Sequence, residues 1–415
     1  VRKEDRIAKL NEELGKNLEN ARKSGDRANE ALLLHFLGKS YEYLDRPNDA
    51  IDCYGKSLLI AKEVGNRSGA ADSLRGLGAV HQHIERFDDA LEYYRQSLEI
   101  SRGMGDRAGE ARILRQMGMV CEATGRFDSA LLYLNQALEV GKETGDRACE
   151  LAALHQIGCV YRSMEKFDEA LEHYKISLRM EREAGDRSAE AKTLHEMGRV
   201  CQKMVNLSNA LEYYGESLQI ARELGDRASV AEALHQIGAV QEAMERFDEA
   251  LQCYSESLAI VREIGDLSNE AEELQEIGTV YEDLGYHEHA LGHYSESLEL
   301  MRKIGDRVRE AGTLHRMGRV YQSTSRCEEA LTNYNRSLAI ARELGNRAGE
   351  ARTLGQIGKL YEEMNRLDEA LECYYRSLEI LRTIRHTADE KEMTKTMEKL
   401  KMRISAAKRL GEDQG

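Results

Sequence analysis

Histidines recurring at fixed intervals are the first residues in this chain to suggest chemistry. They stand at His35, His155, His195, His235 and His315, separated by multiples of forty residues. An imidazole titrates near pH 6.5, so the row supports either pH-sensitive binding or a set of polar spacers hydrogen-bonded to neighbouring helices. A step of forty residues places neighbours too far apart to share one metal ion. A tighter group, His287, His289 and His293, contains an i, i+4 pair of the kind that chelates zinc on a helix. No cysteine lies nearby and His287 falls in a turn, so the structural reading is the stronger one. The eight cysteines, at 53, 121, 149, 159, 201, 253, 327 and 373, include no C-x-x-C pair. They read as reduced thiols of an intracellular, cytoplasmic protein, with Cys121 and Cys201 as inert core residues. No P-loop, G-x-G-x-x-G, H-E-x-x-H or G-x-S-x-G occurs. An active site breaks a repeat locally, and the breaks here are mild: Leu134 for tyrosine, Leu267 for arginine, and the turn Val205-Asn206-Leu207. The expectation is a chain without catalytic activity, cofactor or bound metal.

The elements that position these residues follow from one stretch, Gly225–Leu258, which the rest of the chain restates. Gly-Asp-Arg begins at Gly25, Gly105, Gly145, Gly185, Gly225 and Gly305, and softened copies begin at Gly65, Gly265 and Gly345. The spacing is forty residues with no insertion or deletion, the signature of a solenoid in which each unit touches only its neighbours. Each unit predicts two helices. Gly25 ends one helix in the left-handed region, Asp26 caps the next, and Glu30 lies in its first turn, where negative charge suits the macrodipole. Leu34, Leu37 and Tyr41 share one face. A turn at Asp45–Arg46 leads to Pro47 at the first position of the second helix, which carries Ala50, Ile51, Tyr54, Leu58 and Ile60.

Two small residues organise the packing. Glycine recurs inside the first helix at 38, 78, 118, 158, 198, 238, 278, 318 and 358, and alanine inside the second at 50, 90, 130, 170, 210, 250, 290, 330 and 370. Each helix-interior glycine costs about 1 kcal/mol relative to alanine, so sterics must demand it. The expected reason is a close approach of the paired helices where a Cβ would clash. In order, Leu34, Gly38, Tyr41, Ala50 and Tyr54 match the marker positions of the tetratricopeptide repeat family, which the chain resembles over nine units from about Arg27 to Ile384. The forty-residue length and the Gly-Asp-Arg turn are similar to LGN/Pins polarity adaptors, and multi-repeat arrays attached to signalling ATPases share that period. The resemblance implies an all-α fold, a right-handed α-solenoid, or superhelix, of tandem helix pairs. Residues 1–24 are expected to be a half-repeat capping helix, 25–384 the nine repeats, and 385–415 a C-terminal capping helix with a frayed tail. Glu398 stands at the packing-glycine position, so no further unit of the same kind is expected there.

Charge bounds the partner. A formal net charge of −15, with 32% charged residues, argues against nucleic acid and anionic membrane, both of which want a basic footprint. No apolar run of about eighteen residues predicts a membrane span. The chain begins at Val1, which suggests a segment of a longer protein. By resemblance, the groove-facing side chains sit two, five, nine, twelve and thirteen positions into each unit, counted from Ala31. Arg75, Arg112, Arg115, His155, Arg162, Lys192, His195, Arg199 and Lys203 then form a basic or titratable stretch. His235 follows, an acidic block with Glu232, Glu242, Glu272, Glu282 and Asp283 comes after it, and His315, Arg319, Arg352 and Lys359 return to positive. Solvated helix faces carry charge in any case, but segregation by sign suits an acidic extended or helical segment of a partner protein, with the acidic block fixing its direction. LGN-type repeats hold ligand backbone with groove asparagines, a position that is mostly His or Arg here. The expected function is a protein-binding scaffold or adaptor; the alternative is a sensor array governing an enzymatic domain of a longer parent chain, and self-association is a further possibility.

Overall fold

In the computed structural model, which describes residues 3–412, the chain is all helical. A lead helix, Lys3–Ser24, precedes eighteen helices that alternate as first and second members of a pair, and the helix Thr387–Glu412 follows. The chain divides into two compact bodies between Tyr213 and Tyr214. The first holds the lead helix and the repeats up to the first helix of repeat five, Arg187–Lys203; the second holds repeats six to nine and the helix Thr387–Glu412. Within each body every helix packs on the next in sequence, as an α-solenoid of tandem helix pairs does.

Local chemistry fixes the helix ends. Gly105 ends the second helix of repeat two at φ +71°, and the Asp106 carboxylate accepts the Gly109 amide at 2.9 Å to cap the next helix. The turn inside each repeat also needs the left-handed region, held by Gly125 and Gly285 in repeats three and seven and elsewhere by a residue with a side chain: Asp45, Glu85, Glu165 and Glu245 have φ between +53° and +60°. Pro47 opens the second helix of repeat one.

The recurrent glycine makes room for an aromatic ring. A Cβ on Gly38 would lie 2.7 Å from Cε1 of Tyr54, and one on Gly278 would lie 2.7 Å from Cε1 of Tyr294. The expected close approach is therefore between a glycine surface and a ring, not between two backbones. Each tyrosine buries roughly 150–250 Å², worth about 4–6 kcal/mol at ~25 cal/mol per Å² and an upper figure. That outweighs the glycine's lost propensity of about 1 kcal/mol. In repeat three Leu134 takes the ring's place over Gly118. A buried serine stitches the pair again: Ser57 Oγ donates to the Ala31 carbonyl at 2.7 Å, and Ser297 Oγ to that of Ala271 at 2.6 Å.

A second device joins neighbouring repeats. Glu310, the counterpart in repeat eight of the Glu30 expected to serve the macrodipole, is only 4% exposed. It accepts from Arg302 of the preceding helix at 2.9 Å and from Arg307 of the Gly-Asp-Arg turn at 2.5 Å. Glu30, Glu110, Glu190 and Glu350 repeat the arrangement. Burial works against the Glu310 charge, but hydrogen bonds from the two guanidiniums outweigh it and hold its pKa below the ordinary carboxylate value. The turn arginine is thus a clamp between helices.

Against the lead helix, the side of the first repeat keeps an apolar cavity of about 480 Å³, lined by Leu10, Leu14, Phe36 and Tyr43 among others. No helix among the described residues is long and apolar enough to cross a membrane.

Candidate functional site

The first helix of each pair carries the residues singled out by position, and the ring over the glycine reaches them from behind. Tyr254 Oη donates to Glu242 at 2.9 Å, Tyr294 Oη to Glu282 at 2.8 Å, and Tyr334 Oη to Gln322 at 2.8 Å. The twelfth position of a unit is therefore held from below by its own repeat's tyrosine. The fifth position is held too. The His155, His235 and His315 rings lie 5.5, 5.6 and 5.4 Å from Tyr174, Tyr254 and Tyr334. Each Nδ1 then meets a side chain of the following repeat: Thr193 at 3.1 Å, Glu273 at 3.0 Å and Thr353 at 3.3 Å. These histidines bridge helices.

Their surroundings set opposite charge preferences. Burial, aided by the Arg352, Arg319 and Arg316 charges, pushes His315 down to about 4. Burial also brings His35 to about 4 and lowers His155. His235 goes the other way: burial opposes its charge, but the hydrogen bond to Glu273 and the nearby Glu272 and Glu276 raise its pKa.

In the first body, Arg162 and Arg199 converge on Glu196, each 3.1 Å from it. Arg75 pairs with Asp72 of its own helix at 3.2 Å, and Arg112 Nε donates to the Ala108 carbonyl at 3.3 Å. Arg115 reaches the Met119 sulfur at 4.0 Å. Lys192 and Lys203 are exposed, and His195 is half-buried. The structure thus gathers Arg162 and Arg199 around one carboxylate and spaces the others along successive first helices. In the second body two members of the acidic block meet arginines of the next repeat: Glu282 pairs with Arg319 at 2.5 Å, and Glu272 lies 3.4 Å from Arg309. The sign pattern along the sequence is in part a set of inter-repeat ion pairs.

Sequence reasoning passed over Glu196, Glu273, Glu276 and Arg316. Glu196, Glu276 and Arg316 occupy the sixth position of their units and Glu273 the third, and alignment of the repeats on those two positions would have found them. Two of the three grouped histidines stack on a tyrosine: His293 and His289 lie 5.5 and 5.3 Å from the Tyr281 ring, His293 nearly parallel to it, while His287, expected in the turn, is the first residue of the helix His287–Ile304. Among the described residues no group of His, Cys, Asp and Glu could hold a metal ion. Cys121 and Cys201 are 2% exposed, and burial pushes both thiols up, which disfavours the reactive thiolate.

The tetratricopeptide repeat family model matches eight overlapping stretches, 29–103, 69–143, 109–183, 149–223, 189–263, 229–303, 269–343 and 309–383. No curated protein is significantly similar to the sequence. Among solved structures, the apo quorum sensor NprR of B. thuringiensis is similar at 17% identity, covering 81% of this chain and 99% of that one, with a TM-score of 0.55. Aspartyl phosphate phosphatase F of Bacillus subtilis is similar at 13% identity over 82% and 94%, TM-score 0.55. A signal transduction ATPase with a tetratricopeptide repeat sensor, from Pyrococcus horikoshii, is similar at 15% identity over 87% of this chain, TM-score 0.50; the chain spans 54% of it. At these identities the likeness is one of fold.

Proposed function

This chain belongs to the tetratricopeptide repeat family, and we propose that it is a non-catalytic scaffold whose first-helix face binds an extended or helical, acidic segment of a partner protein. The observation that carries this reading is the basic run in the first body. Among the described residues Arg75, Arg112, Arg115, Lys192 and Lys203 have no carboxylate partner from another repeat, while Arg162 and Arg199 share Glu196. A stretch with more guanidinium and ammonium groups than carboxylates attracts and orients an acidic segment through charge-assisted bonds. His155 and His195 lie on the same face as polar partners. The LGN/Pins likeness stays with this reading as a proposal of adaptor type, as does a cytoplasmic location.

The test is capture from cell extract by the chain and by a variant with Arg75, Arg115, Arg162 and Arg199 changed to Glu, with helicity compared by circular dichroism. Partners held by the first and lost by the still-helical second support the reading. Capture of the same proteins by both refutes it. A second reading, a sensor array governing an enzymatic domain, is favoured by the similarity to a sensor within a signal transduction ATPase and to a quorum sensor. In that case the same face holds an activating ligand or a segment of the parent chain.

A further inference from the structure

The second body contains one cavity twice, with its charge inverted. The first copy, about 410 Å³, lies between the first helices of repeats six and seven and is lined by Glu232, His235, Gln236, Glu272 and Glu273. The second, about 460 Å³, lies between those of repeats eight and nine and is lined by Gly312, His315, Arg316, Arg352 and Thr353. Each of these five pairs is eighty residues apart, so the backbone frame is shared and only the side chains differ. The first lining contains carboxylates and no lysine or arginine; the second contains arginines and no carboxylate. The shared histidine registers the difference, favoured as a cation in the first and strongly disfavoured in the second.

Each seat also holds a charged group without a full complement of partners. Glu273 is 3% exposed; its Oε1 accepts from Ser257 at 2.7 Å and lies 3.0 Å from His235 Nδ1, while its Oε2 has no hydrogen-bond partner. A buried carboxylate oxygen left this way is costly unless something supplies a donor. Glu272 beside it sees Arg309 at 3.4 Å, but Arg309 is itself held by Asp306 at 2.5 Å and by the Ser268 carbonyl at 3.2 Å. In the second seat Arg319 is bound to Glu282 and Arg316 donates to Thr279 at 3.0 Å, whereas Arg352, exposed, has no hydrogen bond or ion pair among the described residues.

We propose that the two cavities are paired side-chain seats for one extended peptide segment, a Lys or Arg entering the seat at Glu272 and Glu273 and an Asp or Glu entering the seat at Arg352. The proposal rests on the first-helix face being the binding face and specifies what its second body selects. Helices packed at 8–10 Å put seats two repeats apart at about 20 Å, a span of about six residues of extended chain. The pair therefore reads the order and spacing of two opposite charges. A segment of the same composition in the reverse order places like charges against each seat, which is a discrimination by repulsion as much as by attraction.

The experiment uses two fluorescein-labelled dodecapeptides of Gly and Ser, capped at both ends, with Arg and Glu six positions apart in the two possible orders. Their net charges are equal, so non-specific attraction cancels. Anisotropy titrations with the full chain are expected to give at least tenfold tighter binding of one order. Glu273→Gln should remove most of that preference, and the exchange variant Glu272→Arg with Arg352→Glu, both at sites that are not fully buried, should reverse it. Equal binding of both orders, an unchanged preference in the exchange variant, or no binding of either peptide overturns the proposal. Loss of partner capture on reversing the first-body arginines is measured separately, so the seats can fail while the scaffold reading stands, and the reverse.

Discussion

Gly278→Ala tests the packing rule on which every repeat depends. The added Cβ would lie 2.7 Å from Cε1 and 2.8 Å from Cδ1 of Tyr294, inside any normal contact distance. The ring has nowhere to go: Tyr294 is fully buried, and its hydroxyl is tied to Glu282 at 2.8 Å and Thr279 at 3.2 Å. Overpacking of this kind costs about 1–3 kcal/mol, while alanine recovers about 1 kcal/mol of helix propensity. The net loss is thus a small difference that is hard to interpret alone. Gly292→Ala, in the second helix of the same repeat, separates the two effects, because nothing lies within 4 Å of its added Cβ. The propensity gain is common to both variants, so the stability of Gly292→Ala should exceed that of Gly278→Ala by the steric cost itself, about 1–3 kcal/mol. Urea unfolding followed by circular dichroism measures the difference. Hydrogen exchange at the amides of repeat seven guards against a repeat array losing strict two-state behaviour. Equal stabilities would show that the glycine does not make room for the ring, and the account of the packing would fall.

Two further outcomes follow from the buried charges. Glu310→Gln keeps the shape of the clamp and removes its charge, and should cost about 1–3 kcal/mol, held at the lower end because Arg302 and Arg307 are about 40% exposed and screened. Glu343→Gln, at the exposed far end of the same arginine, should change stability by no more than about 0.5 kcal/mol, and a larger loss there than at Glu310 would contradict the assignment. The imidazole resonances of His235 and His315 should titrate on opposite sides of pH 6.5. His315, at about 4, favours the folded chain fully above its unfolded pKa, and that contribution is lost as pH falls from about 6.5 towards 4. His235, raised, stabilises the fold below its unfolded pKa, and the contribution is lost as pH rises through the folded value. A common pKa for the two histidines would show that the cavities do not differ in field.

What the sequence made legible was what neighbouring residues decide. The left-handed glycine, the Asp106 cap and the proline at the start of a helix are set within a few positions, and the forty-residue period repeats the glycine and its Asp or Asn cap nine times. The packing glycine was legible as a demand for space, but the tyrosine that fills it comes from the other helix. Glu310 has the sequence neighbourhood of a helix-dipole carboxylate; only the fold brings Arg302 and Arg307 to it. The candidate site was harder for the same reason. Positions along one helix predict which residues share a face, but Glu282 and Arg319 belong to adjacent repeats and neutralise each other across the joint. A sign read along the chain therefore overstates the charge presented to a ligand.

The clamp and the histidine bridge have a consequence for how such a chain changes over generations. Arg307 reaches Glu343 within one repeat, Arg302 reaches Glu310 across the turn, and His315 reaches Thr353 in the next repeat. Every joint is thus made between residues at a constant offset from the nearest neighbour. Unequal recombination that removes or duplicates forty residues brings together two ends that already carry matching halves of each joint. The number of repeats is free to drift in whole steps, whereas a gain or loss of any other length at a turn between repeats breaks the offset on which the clamp and the bridge depend. Inheritance in such an array conserves the length of the step and leaves the length of the chain open.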